Sequence, residues 1–326
     1  MKIIFFGTPI FAATNLQYLI DHGHDIVAVV TSPDSKQGRG KKIKSCAVKE
    51  IAIINDICVL QPEKLRSDDF VNTLINFSVD LFVVVAFRML PEVVWKIPRK
   101  GTINLHTSFL PDYRGAAPIN RVLINGEKET GISTFFIDHN IDSGAIIQQD
   151  RIKLTRSTTA AQLHNKLVEK GNDLLFSTIN KIQYNSKLQT LQQNENSILE
   201  APKLAKELLR IDWNKSAIDI HNLVRGLSPF LDKDTILKDV SICPSAWFFL
   251  EDSKGCQKRI KLHLTEVVKS KAEKFMSIET DNKTYLHINI DKYAIAILNL
   301  QPEGRNPMNI QQYLQGTKIT KDYKIL

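Results

Sequence analysis

The strongest constraint on the fold is a set of short, continuous apolar runs separated by helix-like segments in the first half of the chain. Lys2–Phe6 reads Lys-Ile-Ile-Phe-Phe and stops at Gly7. Asp25–Thr31 carries Ile26-Val27-Ala28-Val29-Val30, and Leu81–Ala86 reads Leu-Phe-Val-Val-Val-Ala. Runs of β-branched and aromatic residues leave no polar face for water, so these strands are expected to be covered on both sides. Helical connections between them imply a parallel sheet. Phe11–Ile20 supplies one such connection, with Phe11, Leu16, Leu19 and Ile20 at helical spacing. Thr158–Tyr184 reads as a long helix starting at Thr158 or Thr159, and Gly101–His106 and Ile132–Ile137 as further strands. The longest apolar run, Leu81–Phe87, falls far short of the about 20 residues that cross a membrane as a helix.

After about Tyr184 the character changes. Asn185–Glu200 is polar and rich in Asn and Gln, Lys203–Trp213 and Ile218–Leu227 look helical, and short alternating stretches follow at Ala246–Leu250, Arg259–Thr265, Thr284–Ile290 and Ala294–Leu300. Several short strands at this spacing suggest a small β-barrel or sandwich. A length of 326 residues favours two domains. The expected division is 1–188, a linker over 189–206, and 207–326.

Charge narrows the partners. The 43 Lys and Arg against 35 Asp and Glu give +8, which points to an anionic partner without identifying it. Much of the excess sits in Pro33–Lys49, where Lys36, Arg39, Lys41, Lys42, Lys44 and Lys49 face only Asp34. Glycines beside Arg39 suit a phosphate contact, although a charge run also serves as a solvated loop. Gly7-Thr8-Pro9 holds one glycine where a dinucleotide fingerprint needs three, so it reads as a tight turn into a helix. It also interrupts the apolar start, which weakens a signal-peptide reading. Cys46, Cys58, Cys243 and Cys256 are far apart; with no CxxC pair they suit a reduced, cytoplasmic setting. His22 and His24 lack neighbouring ligands at metal spacing, and no metal is expected.

The chemistry concentrates in Gly101–Ile147. Asn104 and His106 stand two apart and therefore share one face of a strand, at its carboxyl end, where open α/β sheets bind ligands. Asp142 follows in a loop with Ser143-Gly144. Asn can donate to an oxyanion, His can shuttle a proton, and Asp can orient the His. That set suits acyl transfer by direct attack of an amine. The same residues at a strand end can also do no more than satisfy backbone groups.

The motifs in full resemble the formyltransferase family that uses 10-formyltetrahydrofolate. They are Asn104-x-His106, Ser108-x-Leu110-Pro111-x-Tyr113-Arg114-Gly115-Ala116-Ala117-Pro118-Ile119 and Asp142-x-Gly144. The basic loop Gly38-Arg39-Gly40-Lys41-Lys42 narrows the resemblance to the members that act on a charged tRNA. Asn222–Pro229, Pro244–Trp247 and Leu300–Met308 are similar to their C-terminal domain.

The resemblance implies an α/β fold, a Rossmann-like formyltransferase domain with a second, smaller OB-like β-barrel domain. It implies transfer of formyl from 10-formyltetrahydrofolate, a donor substrate, to the amino group of methionyl initiator tRNA, with Asn104, His106 and Asp142 catalytic. Ser108, Phe109, Leu110 and Pro111 are expected against the folate, with Phe87, Met89 and Leu90 forming an apolar slot. Arg39, Lys41, Lys42 and Lys44 are expected against tRNA. No membrane partner and no dimerisation seam is visible, so a monomer is expected. Three departures stand out: Arg88 replaces a common glycine in a shortened loop, Ile137 replaces a common Met, and Phe230–Cys243 resembles an insertion. Two competitors share some of these features. A sibling acting on a small amine, such as an aminosugar nucleotide, needs neither the basic loop nor the second domain. A non-catalytic nucleic-acid-binding module has no use for Asn-x-His with a distant Asp.

Overall fold

The computed structural model describes residues 1–37, 42–185, 187–194, 199–237, 242–270 and 274–326; the side chains of 36–37 and 42–44 are outside that description. The chain resolves into two compact units. The first takes Met1–Gly115, Thr130–Ile152 and Asn165–Glu200; the second takes Ala116–Glu129, Lys153–His164 and Ala201–Leu326. Each unit therefore draws on three stretches of chain.

The first unit is built on a seven-stranded sheet. Its spatial order is Cys58–Leu60, Asp25–Val30, Lys2–Gly7, Leu81–Val85, Thr102–His106, Glu129–Phe136 and Ile146–Lys153. The apolar runs occupy the centre, as their pattern requires: Ile3, Ile4, Phe5 and Phe6 are fully buried, as are Leu81, Phe82 and Val83. Phe6 and Phe82 touch across the parallel pair, ring centroids 4.9 Å apart. The first five strands are parallel, whereas Glu129–Phe136 runs antiparallel to Thr102–His106. An apolar run buried on both faces reads the same in either direction, so this reversal left no mark in the sequence. The chain order departs in opposite directions on either side of Lys2–Gly7 and Leu81–Val85. That is the switch point at which such sheets bind ligands.

The second unit carries an antiparallel sheet curled into a half-barrel, in the order Ile278–Thr280, Leu286–Ile290, Tyr293–Pro302, Gln257–Lys269, Ala246–Glu251, Lys324–Ile325. Its alternation is plain in Ala246, Phe248 and Leu250, which are buried while Trp247 and Phe249 face outward. The helix Ala217–Gly226 is capped by Ser216, whose side chain accepts from the Asp219 amide, and contributes Ile220 and Val224 to the same core. The helix expected over Lys203–Trp213 is not formed; only a single 3-10 turn, Glu207–Leu209, appears. Ile211 and Trp213 are buried and Asp212 is exposed, a period of two that suits extended chain, and the Ile211 amide donates to the Trp247 carbonyl. The insertion-like segment packs at both ends: Phe230 is 2% exposed, its carbonyl accepts from Thr159 Oγ1 at 2.6 Å, and the Ile242 carbonyl accepts from Asn120 at 2.8 Å. Residues 238–241 lie outside the described residues.

A buried histidine makes the second unit pH-sensitive. His263 lies under the Phe230 ring with Nδ1 3.2 Å from Ser245 Oγ, and burial pushes its pKa down to about 4. Between pH 6.5 and 4 the unfolded chain binds the proton and the folded chain does not, so stability is present above that window and is lost as pH falls through it. At about 1.4 kcal/mol per tenfold change in proton affinity, the loss is at most about 3 kcal/mol. Denaturant titrations at pH 7 and pH 4.5 should show the decline, and His263→Phe should flatten it. An unchanged slope in that variant removes His263 as the cause.

Candidate active site

The strand Thr102–His106 presents Asn104 and His106 on one face at its carboxyl end. His106 is 6% exposed. Its Nε2 lies 2.9 Å from the Tyr113 carbonyl; a carbonyl only accepts, so Nε2 carries a proton. Its Nδ1 faces Asp142 Oδ2 at 3.7 Å, too long for a hydrogen bond. The Asn104 amide makes no side-chain hydrogen bond among the described residues, so its donor is open.

Asp142 is positioned by its own loop. It sits at φ +52°, a left-handed conformation costly for a residue with a Cβ, and Oδ2 accepts from the Gly115 amide at 2.9 Å. Asp138 ties the loop's start, accepting from the Asn140 amide at 3.0 Å and from Ser143 Oγ at 2.7 Å. Gly144 closes it against the sheet, where a Cβ would stand 1.7 Å from the Phe136 carbonyl oxygen; only glycine fits.

The segment 108–111 is pinned from beneath. Ser133 Oγ donates to the Ser108 carbonyl at 2.7 Å and accepts from the Leu110 amide at 3.1 Å, while Gln149 Nε2 donates to the Leu110 carbonyl at 2.9 Å. Ser108 and Leu110 are buried, and the Ser108 hydroxyl is committed to the Asp112 carbonyl. Phe109 and Pro111 are the half-buried members that remain accessible, Phe109 with the Arg151 guanidinium 3.9 Å from its ring centre. The expected apolar slot is uneven: Leu90 belongs to the core, Phe87 is half-buried edge-on to Phe6, and Met89 is 72% exposed. Arg88 turns away to donate to the Pro62 and Glu63 carbonyls, and Ile137 packs against the core cluster that contains Leu90.

The basic loop is a two-stranded ribbon, Ser35–Gln37 against Lys42–Lys44. Lys42 and Lys44 are on its return strand, while Arg39 and Lys41 lie outside the described residues. Lys49 at its base is neutralised by Asp34 at 2.6 Å. Among the described residues no group of His, Cys, Asp and Glu has metal-site geometry, and no helix is long and apolar enough to cross a membrane.

Three contributors escaped the sequence reading: the Tyr113 carbonyl, the Gly115 amide and Gln193. The first two are backbone groups within the recognised motif, and Gln193 lies in the polar stretch that composition marks as a linker.

The site thus sets an open amide beside a buried His that faces a carboxylate, at the carboxyl end of the strand next to the switch point. The formyl transferase model matches residues 1–179 and the formyl transferase C-terminal domain model matches 203–318; the chain belongs to the formyl transferase family. Among its relatives, the methionyl-tRNA formyltransferase of Flavobacterium johnsoniae is 41% identical over 329 residues, covering 100% of this chain and 99% of that one. The methionyl-tRNA formyltransferase of Bacteroides fragilis is 39% identical over 330 residues, covering 100% and 98%. The solved structure of the N-formyltransferase from Helicobacter canadensis, with folinic acid and dTDP-3-aminofucose, superposes with a TM-score of 0.61 at 21% identity, over 91% of this chain and 98% of that one. That likeness is one of fold.

Proposed function

We propose that the chain transfers the formyl group of 10-formyltetrahydrofolate to the amino group of methionyl initiator tRNA, for translation initiation. The full-length likeness to relatives bearing that activity in their names carries the choice of acceptor. The open Asn104 amide next to His106 and Asp142 carries the chemistry.

In this reading the neutral amine attacks the formyl carbon, a C–N bond forms, and the carbonyl electron pair becomes an oxyanion. Asn104 donates to that oxygen, and protonated His106 donates through Nδ1, because Nε2 is held by Tyr113. Asp142 accepts the proton that the amine loses. His106 then delivers its Nδ1 proton to the departing folate nitrogen as the old C–N bond breaks. The proton on Asp142 returns across the 3.7 Å gap to His106, which restores the starting state.

Phe109, Pro111 and Phe87 offer accessible apolar surface for the flat folate ring, with Ser108 and Leu110 shaping the loop from within. Arg39, Lys41, Lys42 and Lys44 meet the acceptor end of the tRNA, since their basic side chains suit phosphate. The enzyme works as a monomer in the cytoplasm and needs no metal.

The test is formylation of charged initiator tRNA against charged elongator methionyl-tRNA, with an aminosugar nucleotide as third acceptor. Strong preference for the initiator is expected. Equal or faster formylation of the sugar amine overturns the reading in favour of a small-amine formyltransferase.

A further inference from the structure

The polar stretch after the long helix Ala160–Tyr184 is fastened to the catalytic loops at both ends. Leu191 exchanges both backbone hydrogen bonds with Ile146, each 2.8 Å, immediately beyond the Asp142 loop. Further on, the Leu199 carbonyl accepts from the Tyr113 amide, the Leu199 amide donates to Asp112 Oδ1 at 3.1 Å, and Glu200 bridges to Arg114. Between these anchors stands Gln193.

Its amide is used to capacity. Nε2 donates one hydrogen to the Asp142 carbonyl at 2.9 Å and the other to the Gly144 carbonyl at 2.8 Å. Oε1 accepts from Arg114 Nε at 3.1 Å and Nη2 at 2.8 Å. A carboxamide has two donor hydrogens and two acceptor lone pairs, so every one is engaged. The orientation is fixed as well, since turning the amide over would set its oxygen against two carbonyls and its NH2 against a guanidinium. The two carbonyls it holds flank Ser143 in the loop that aims Asp142, and the guanidinium it holds belongs to the residue between Tyr113 and Gly115. Those neighbours supply the backbone groups that contact His106 and Asp142.

We propose that Gln193 is a positioning residue for the transfer reaction, clamping the Asp142 loop and the 113–115 loop in one register so that the Asp142 carboxylate stays beside His106. The inference rests on the proposed reading of His106 and Asp142, and its physical content is loop geometry. Without the clamp, Asp142 loses the hydrogen bond to its own carbonyl and keeps its left-handed backbone on the Gly115 contact, the Asp138 tie and the Phe136–Ala145 bond beyond it. A displacement of about 1 Å in such a group costs up to about 10²-fold in rate.

Two substitutions separate the effects. Gln193→Met keeps the length and removes all four hydrogen bonds. Gln193→Glu keeps the Arg114 contact but turns oxygens toward the two carbonyls, so it fails at the loop while holding the strap. Both should lower kcat about tenfold, with KM for either substrate changed less than about twofold and the thermal midpoint retained. In an Asp142→Asn background either substitution should cost less than about twofold more, because its effect runs through that carboxylate. Hydrogen exchange of the free enzyme should quicken about tenfold in peptides covering 138–146. Wild-type kcat with unchanged exchange in both variants overturns the proposal, as does an equal loss with and without the Asp142 carboxylate. If the wild type fails to formylate methionyl-tRNA, the functional reading falls, and the exchange measurement still decides whether Gln193 holds the loop.

Discussion

Asn104→Ala is expected to lower kcat for formylation about 10²–10³-fold while leaving KM for both substrates nearly unchanged, and His106→Ala to do at least as much. Preorganised donors stabilise charge that exists only in the transition state, so their loss appears in kcat rather than in substrate binding. The Asn104 amide fits that role because nothing among the described residues engages it, and the pleat sets it on the same face as His106. His106→Ala removes more than a donor: it takes the Nε2 contact from the Tyr113 carbonyl and the imidazole from in front of the Asp142 carboxylate, which keeps the Gly115 amide. For that reason His106→Gln, whose amide nitrogen stands at the level of Nε2 and can donate to Tyr113 again, is the better measure of the proton-handling step. The double variant Asn104→Ala/His106→Ala should lose less than the product of the single effects, since the proposed mechanism has both residues act on one oxyanion. Steady-state kinetics with charged initiator tRNA decide the matter, with thermal midpoints as a check on folding. Near-normal turnover in both single variants would remove Asn104 and His106 from the reaction.

Legibility tracked how local the signal was. The central strands were readable because burial on both faces demands an unbroken apolar run, and Ile3–Phe6 and Leu81–Val83 obey it without exception. Asn104 and His106 were readable because a spacing of two fixes a shared face. Asp142 was named as a group able to orient the His, but its proximity to His106 was not legible, since it depends on a loop whose course rests on a left-handed Asp142 and a glycine at 144. Ser108 and Leu110 were expected against the ligand, but their direction was not legible. A motif does not say which of its members face inward, and Ser133 draws these two into the interior. Lys203–Trp213 misled because its apolar residues fit two periods, and tertiary pairing with Trp247 selected the extended one. Gln193 had no signal at all: an amide in a run of Asn and Gln acquires meaning only when the Leu191–Ile146 pairing brings it to the loop.

Replacement of Arg225 should cost the second unit about 3–5 kcal/mol. The side chain is 4% exposed and has no carboxylate partner among its recorded contacts. Nε donates to Asn222 Oδ1 at 2.8 Å, Nη1 to the Thr158 carbonyl at 3.2 Å, and Nη2 to the Leu123 carbonyl at 3.1 Å. These acceptors come from the three separate stretches that make up the second unit, so one guanidinium joins segments the chain order keeps apart. Burial lowers its pKa to about 10, yet it remains a cation at neutral pH, solvated by oxygens instead of water. Arg225→Met retains the apolar stem and abandons the acceptors; each buried acceptor left without a donor costs about 1–3 kcal/mol, and three of them at the lower end of that range give the total. For a unit of this size about 2–4 °C follows each kcal/mol, so the midpoint should drop by about 6–20 °C. Arg225→Lys should recover little, because one ammonium on a flexible stem cannot reach acceptors arranged around a planar fork. Calorimetry of the two variants beside the wild type measures both losses. A drop under about 2 °C for the Met variant would mean that water or a rearranged backbone satisfies those carbonyls, and that the three stretches hold together without the cation.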